Sequence, residues 1–149
     1  MSMSTIGVPL EGFGVYCRAA AAEGAVLLKN EGHMLPLKKE EMVSVFGRCQ
    51  FETYRSGTGS GGAVNVPYAV NIYDGMRESG SFTLNEELAD IYRAWLKDHP
   101  FDNGGGGWAC EPWFQKDMDI SVEYAKKQAE ATNKAVYIIG RTAGEDKDN

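Results

Sequence analysis

The chain is short of the features that mark several common functions. It has no basic cluster: 15 Lys and Arg stand against 21 Asp and Glu, a net charge of −6. Nothing along it can neutralise a run of phosphates, so nucleic acid is not expected as a partner. Histidine is scarce, and neither His33 nor His99 has a cysteine or second histidine at ligand spacing, so no metal site is expected. The three cysteines, Cys17, Cys49 and Cys110, are odd in number and lack C-x-x-C spacing. That excludes a disulfide framework and predicts reduced, packed thiols. No apolar run reaches the roughly 18 residues that span a bilayer, and residues 1–7 lack the basic and apolar parts of an export signal, so a soluble, cytoplasmic protein without a membrane partner is expected. A G-x-S-x-G elbow and a P-loop lysine are missing too, which leaves no serine-nucleophile or phosphate-cradle signature.

What is present suits one domain of ordinary size: 149 residues, 43% of them hydrophobic. Small and apolar residues recur at helical spacing over residues 11–29 (Cys17, Ala20, Ala21, Gly24, Leu27, Leu28), predicting a closely packed helix that ends before Leu35-Pro36-Leu37. The M-V-S-V-F run from Met42 to Phe46 predicts a short buried strand closed by Gly47. Pro67 suits the first turn of a second helix, with Ala69, Ile72, Tyr73 and Met76 on one face and Gly80 at its end. Residues 82–84 read as a weak strand. Asn85 is placed to cap the clearest amphipathic helix, whose stripe is Leu88, Ile91, Tyr92, Trp95 and Leu96. Ser121 caps a last helix to about Thr132, and Ala135 to Ile139 has the pattern of a strand buried on both faces of a parallel sheet. This order predicts an α/β fold with a mostly parallel sheet.

Three loops carry the chemistry. Residues 54–65 are glycine-rich, and Gly57-Thr58-Gly59-Ser60-Gly61-Gly62 satisfies G-x-G-x-x-G. The strand-turn-helix spacing and the acidic residue of a dinucleotide site are missing, and simple flexibility accounts for the glycines as well. Residues 101–119 form a long connector with Gly104 to Gly107, Trp108, Trp113 and Phe114. Its aromatic faces suit the apolar face of a sugar; the same rings could anchor the loop to the core. At the carboxyl end of the last strand, where ligands collect in open α/β sheets, stand Arg141, Gly144, Glu145, Asp146 and Asp148. A solvated acidic tail has the same composition. If water were excluded, neighbouring negative charge would raise the pKa of Glu145 and suit it to act as a general acid.

Several phrases resemble glycoside hydrolase family 3, the β-glucosidases and their relatives. The segment A-A-A-E-G-A-V-L-L-K-N-E-G-H-M-L-P-L over residues 20–37 is similar to the opening of that family's second domain. V-S-V-F-G over residues 43–47 resembles its first strand, Gly57 to Asn65 its glycine-rich loop, and I-G-R-T-A-G-E-D over residues 139–146 its strand and A-G-E loop. Asp146 and Asn149 depart from the usual loop, where G-x-D-R is common.

The resemblance implies a three-layer α/β sandwich that caps a TIM-like barrel, with the active site between them. It implies a retaining, exo-acting hydrolase of terminal β-linked sugars, with no cofactor. An aspartate nucleophile would come from the barrel and the general acid/base would be Glu145, the two carboxyls about 5 to 5.5 Å apart. Arg55, Ser60 and Trp108 are the candidate sugar contacts, because their loops should face the same edge. On this reading residues 1–10 are a leader or linker, residues 11–149 are part of the sandwich, and the barrel is absent. The sheet is then incomplete and should leave an apolar edge, which makes a homo-oligomer possible. A non-catalytic carbohydrate-binding or assembly module is the alternative, and a nucleotide site the third.

Overall fold

A computed structural model describes residues 9–54 and 68–142. The chain forms two compact units that part between Pro36 and Leu37.

In the first unit, helix α1 spans Phe13–Glu23 and is shorter than the expected 11–29. Gly12 starts it in the left-handed region at φ 78°, and the Gly24 N–H closes it on the Ala20 carbonyl at 3.0 Å. The expected close packing is not found: α1 buries none of its residues, and Cys17, Ala20 and Ala21 are exposed. Downstream, the Asn30 side chain holds a turn by accepting from the Leu35 N–H and donating to the Leu35 carbonyl, each at 2.9 Å.

The second unit is built on β1, Met42–Phe46, whose residues 43–46 are all buried. It is the middle strand of a parallel three-stranded sheet ordered β2-β1-β3, with β2 at Thr83–Leu84 and β3 at Lys134–Tyr137. Parallel strands need crossovers, and helices supply them. α2 (Ile72–Ser79) and β2 follow β1, α3 (Glu86–Asp98) follows β2, and α4 (Val122–Ala131) leads into β3. Each helix begins on a side chain that accepts a backbone N–H: Asn71 from Asp74 at 2.7 Å, Asn85 from Leu88 at 3.3 Å, Ser121 from Tyr124 at 3.1 Å. Pro67 lies outside the described residues, and the helix expected from it starts instead at Ile72 under the Asn71 cap. Gly80 ends it as expected, at φ 61°.

Val43, Val45, Tyr73, Leu84 and Ala89 form one core cluster, and Phe46, Leu88 and Tyr92 a second. A buried polar knot joins them: Asn85 donates to Ser44 Oγ at 3.0 Å and to Gln128 Oε1, and Ser44 pairs with Thr132 at 3.0 Å. These bonds tie β1, the start of α3 and the end of α4 into one body, and each satisfies a group that burial would otherwise penalise.

β3 corrects one expectation. It ends at Tyr137 rather than Ile139, and its side chains alternate between half-buried and exposed instead of being buried on both faces. Among the described residues it is flanked by a strand on one side only, and one of its two faces, which includes Tyr137 at 57% exposed, is uncovered.

Candidate functional site

The carboxyl ends of β1 and β3 are held within touching distance by two glycines. Gly47 leaves β1 at φ 93°, and a Cβ there would stand 2.2 Å from the Ile138 carbonyl oxygen. Gly140 passes over Cys49 so closely that a Cβ would meet its sulfur. Only residues without side chains let the two exits lie together. The Gly47 N–H donates to the Tyr92 hydroxyl at 2.9 Å.

Arg48 follows, 3% exposed. Its guanidinium donates to Glu52 at 2.9 Å, to the Lys116 carbonyl at 2.7 Å and to the His99 carbonyl at 2.7 Å, over the face of Trp95 at 5.2 Å. Its backbone N–H donates to Asp117 Oδ1 at 3.0 Å. A buried charge is tolerable when it is paired and its donors are filled, and here Glu52 pairs it while the two ends of the long connector fill the remaining donors. That connector is therefore fastened at residues 99 and 116–117 to the end of β1.

Between those points Gln115, 6% exposed, fastens it again. Its Oε1 accepts from the Asp102 N–H and its Nε2 donates to the Asp102 carbonyl, each at 2.8 Å, as a neighbouring strand would. Nε2 also donates to the Tyr54 hydroxyl at 3.3 Å. Tyr54 packs edge-on against Phe101 with ring centroids 5.5 Å apart. Beside Gln115, Phe114 forms an antiparallel bridge with Arg141, and the Thr142 N–H donates to the Trp113 carbonyl at 2.9 Å. Arg141 lies over the Trp113 ring at 5.9 Å, and Thr142 is buried. Arg48, His99, Asp102, Trp113, Phe114 and Gln115 line an open groove of about 500 Å³.

Burial at this edge holds one thiol and two phenols in their neutral forms. Burial pushes the Cys49 thiol up to about 11, with Asp117 adding to the shift, and pushes the Tyr92 phenol up to about 12. Burial raises the Tyr137 phenol too, assisted by Asp117. Among the described residues no group of His, Cys, Asp and Glu is arranged to hold a metal.

Of the four residues singled out in the sequence, Glu145, Arg55 and Ser60 lie outside the described residues. Trp108 is 59% exposed on the connector, just beyond the turn Gly104–Gly106. The rings do not anchor the loop to the core: Phe114 is 66% exposed, the Trp113 ring lies under Arg141, and it is the backbone of both residues that ties the loop to the root of the C-terminal segment. Sequence reasoning passed over Arg48 and Gln115, since a lone arginine after a strand and a lone glutamine in a loop carry no motif.

Known proteins share this chain's sequence and fold. Residues 25–149 match the glycosyl hydrolase family 3 C-terminal domain. A beta-glucosidase of Ruminococcus albus is 49% identical over 128 residues, which is 86% of this chain and 13% of the relative. Beta-glucosidase A of Butyrivibrio fibrisolvens is 31% identical over 127 residues, 85% of this chain and 14% of the relative. Among solved structures, a beta-glucosidase from Paenibacillus barengoltzii superposes with a TM-score of 0.93 at 63% identity, over 98% of this chain and 16% of that one. Beta-glucosidase 3B from Thermotoga neapolitana, in complex with alpha-D-glucose, gives 0.79 at 32% identity, over 93% and 19%. The chain thus spans less than a fifth of the length of each of these proteins. With the match running from residue 25 through the sheet to residue 149, this chain belongs to the C-terminal domain family of the family 3 glycosyl hydrolases.

Proposed function

We propose that this chain is the part of a β-glucosidase that brings the proton donor to the sugar. Glu145 is the general acid/base, and the nucleophile is an aspartate on a barrel domain facing it. The reaction is exo-acting hydrolysis of terminal β-linked sugars with retention. The observation that carries this reading is the root of the C-terminal segment. Arg141 is bridged to Phe114, and Thr142 is buried with its N–H on Trp113, three residues before Glu145 at the carboxyl end of β3. A fixed root lets a short segment present a carboxyl across a cleft, where retaining chemistry brings the two carboxyls to about 5 Å. Arg55, Ser60 and Trp108 contact the sugar from the neighbouring loops, with the exposed Trp108 ring offering a stacking face.

The test is Glu145→Gln in the full-length protein. Cellobiose hydrolysis should fall steeply, because its leaving alcohol needs a proton, whereas aryl glucosides with good leaving groups should keep their first step and gain turnover with added azide. Full activity of the variant on cellobiose would falsify the assignment.

The one-sided β3 and the exposed Trp108 favour a second reading, a carbohydrate-binding or assembly module without chemistry of its own. That module would bind glucosides with Glu145→Gln unchanged in every assay.

A further inference from the structure

Two of the three loops that carry the candidate site residues have their roots on one side chain, and the third is rooted on its chain neighbours. Tyr54 is the residue before Arg55, Asp102 opens the connector that bears Trp108, and Phe114 is bridged to Arg141 at the base of the segment that bears Glu145. Gln115 touches the first two through its amide, and its chain neighbour Phe114 is bridged to Arg141 below the third. Its bonds to Asp102 are those of a miniature β-bridge, made by a side chain where no strand is available. Burial of Gln115, 6% exposed, makes them consequential: its amide is matched by Asp102 and Tyr54, and together they fix residue 115 against both loops.

We propose that Gln115 is a positioning residue for the glycosidase reaction, steadying the Trp113-Phe114 pair that fastens Arg141 and Thr142, the residues that lead to Glu145. The proposal rests on the reading of Glu145 as acid/base. Gln115 touches no reacting atom; it acts through Phe114 and Trp113, whose backbone holds Arg141 and Thr142. Removing its amide frees Asp102 from residue 115 and loosens the Trp113-Phe114 pair that holds Arg141 and Thr142. A displaced acid costs most where proton donation matters most, so the loss should track the leaving group.

The experiment uses the full-length protein with Gln115→Met, which keeps most of the volume and deletes both amide functions. Its kcat/KM on cellobiose should fall on the order of 10- to 100-fold, while a dinitrophenyl β-glucoside, which needs little proton donation, should lose only about two- to threefold. Circular dichroism melts report whether it folds. In a Glu145→Gln background the further loss caused by Gln115→Met should disappear, since the group it positions is gone. A merely structural role predicts equal losses on both substrates in both backgrounds, and that result overturns the proposal. If Gln115→Met does not fold, Gln115→Glu is read instead. Its carboxylate accepts from the Asp102 N–H but has no proton for the Asp102 carbonyl, so a leaving-group-dependent loss is again expected, and a wild-type profile overturns the proposal. Should Glu145→Gln itself retain full cellobiose activity, the underlying reading fails and this one with it. Should Glu145→Gln be crippled while Gln115→Met matches the wild type, only the positioning role fails.

Discussion

A Cβ placed on Gly140 would stand 1.9 Å from the sulfur of Cys49 and 2.8 Å from its Cβ. The exit of β3 therefore lies directly on the residue that follows Arg48, and the two strand ends are fitted to each other at that point. Gly140→Ala should force them apart and destabilise the protein by about 1–3 kcal/mol, the usual penalty for overpacking. In a Cys49→Ala background the sulfur is gone and the penalty should shrink, though the remaining Cβ keeps it above zero. Denaturant unfolding of the four proteins in the cycle measures this; an equal penalty in both backgrounds would mean that the contact is not the cause.

Cys49 also sets an alkaline limit. Burial raises its thiol from 9.0 to about 11, and raises the Tyr92 phenol from 10.0 to about 12. Both groups are acids that stay neutral in the fold and ionise sooner when it opens. Between pH 9 and 11 the unfolded chain binds fewer protons than the folded one, so stability is fully present below pH 9 and falls as pH rises. Thermal midpoints should be flat near neutrality and decline above pH 9, with a shallower decline in Cys49→Ala. At pH 8 a thiol reagent should label the exposed Cys17 and Cys110 at once and Cys49 only on denaturation. Immediate labelling of all three would contradict the buried placement.

Much of this architecture is readable from residue pattern, because β1 is a short, mostly apolar run buried on both faces and α3 buries a stripe at helical spacing. Val43, Val45 and Phe46 mark the strand, Leu88 and Tyr92 the helix, and Asn85 and Ser121 the helix starts. β3 was misjudged because an apolar run reports hydrophobicity and not which neighbours are available: Val136 and Ile138 turn toward the core, while Tyr137 and Ile139 do not. α1 was read too long because small residues fit a helix without demanding one, and Gly24 ends it. The site divides in the same way. Glycine and tryptophan announced the loops, but the bonds at their roots come from Arg48 and Gln115, whose roles depend on partners more than ten residues away.

Asn85 performs two tasks with one side chain. Its Oδ1 caps α3 by accepting from Leu88 at 3.3 Å, and its Nδ2 serves Ser44 and Gln128 in the buried knot. Asn85→Ala loses the cap, about 1 kcal/mol, and leaves Gln128 Oε1 buried without its donor, a further 1–3 kcal/mol or so. Asn85→Ser should keep the cap and lose only the second part. The two variants should therefore separate in denaturant midpoint, with Asn85→Ala the less stable; identical midpoints would show that the cap contributes nothing.

The outer side of β3 is the place where this chain, on its own, should meet another. β3 is bonded to β1 through residues 134–137, and on its other side no described strand follows. Beside that edge Ile139, 81% exposed, and the ring of Tyr137, 57% exposed, project from one uncovered face. A strand edge with unpaired backbone groups and apolar side chains is a template for pairing, and proteins that leave one open usually guard it with charge. Here the charged residues of β3 offer no such guard at the exit, since Lys134 sits at the opposite end and pairs with Glu41 at 3.1 Å. The 149-residue chain should therefore associate with rising concentration. Tyr137→Lys combined with Ile139→Lys should return it to a monomer, since two outward lysines at this edge would repel their counterparts. Sedimentation velocity over a concentration series reads this directly, and a wild-type chain that remains monomeric throughout would show that the edge is already covered.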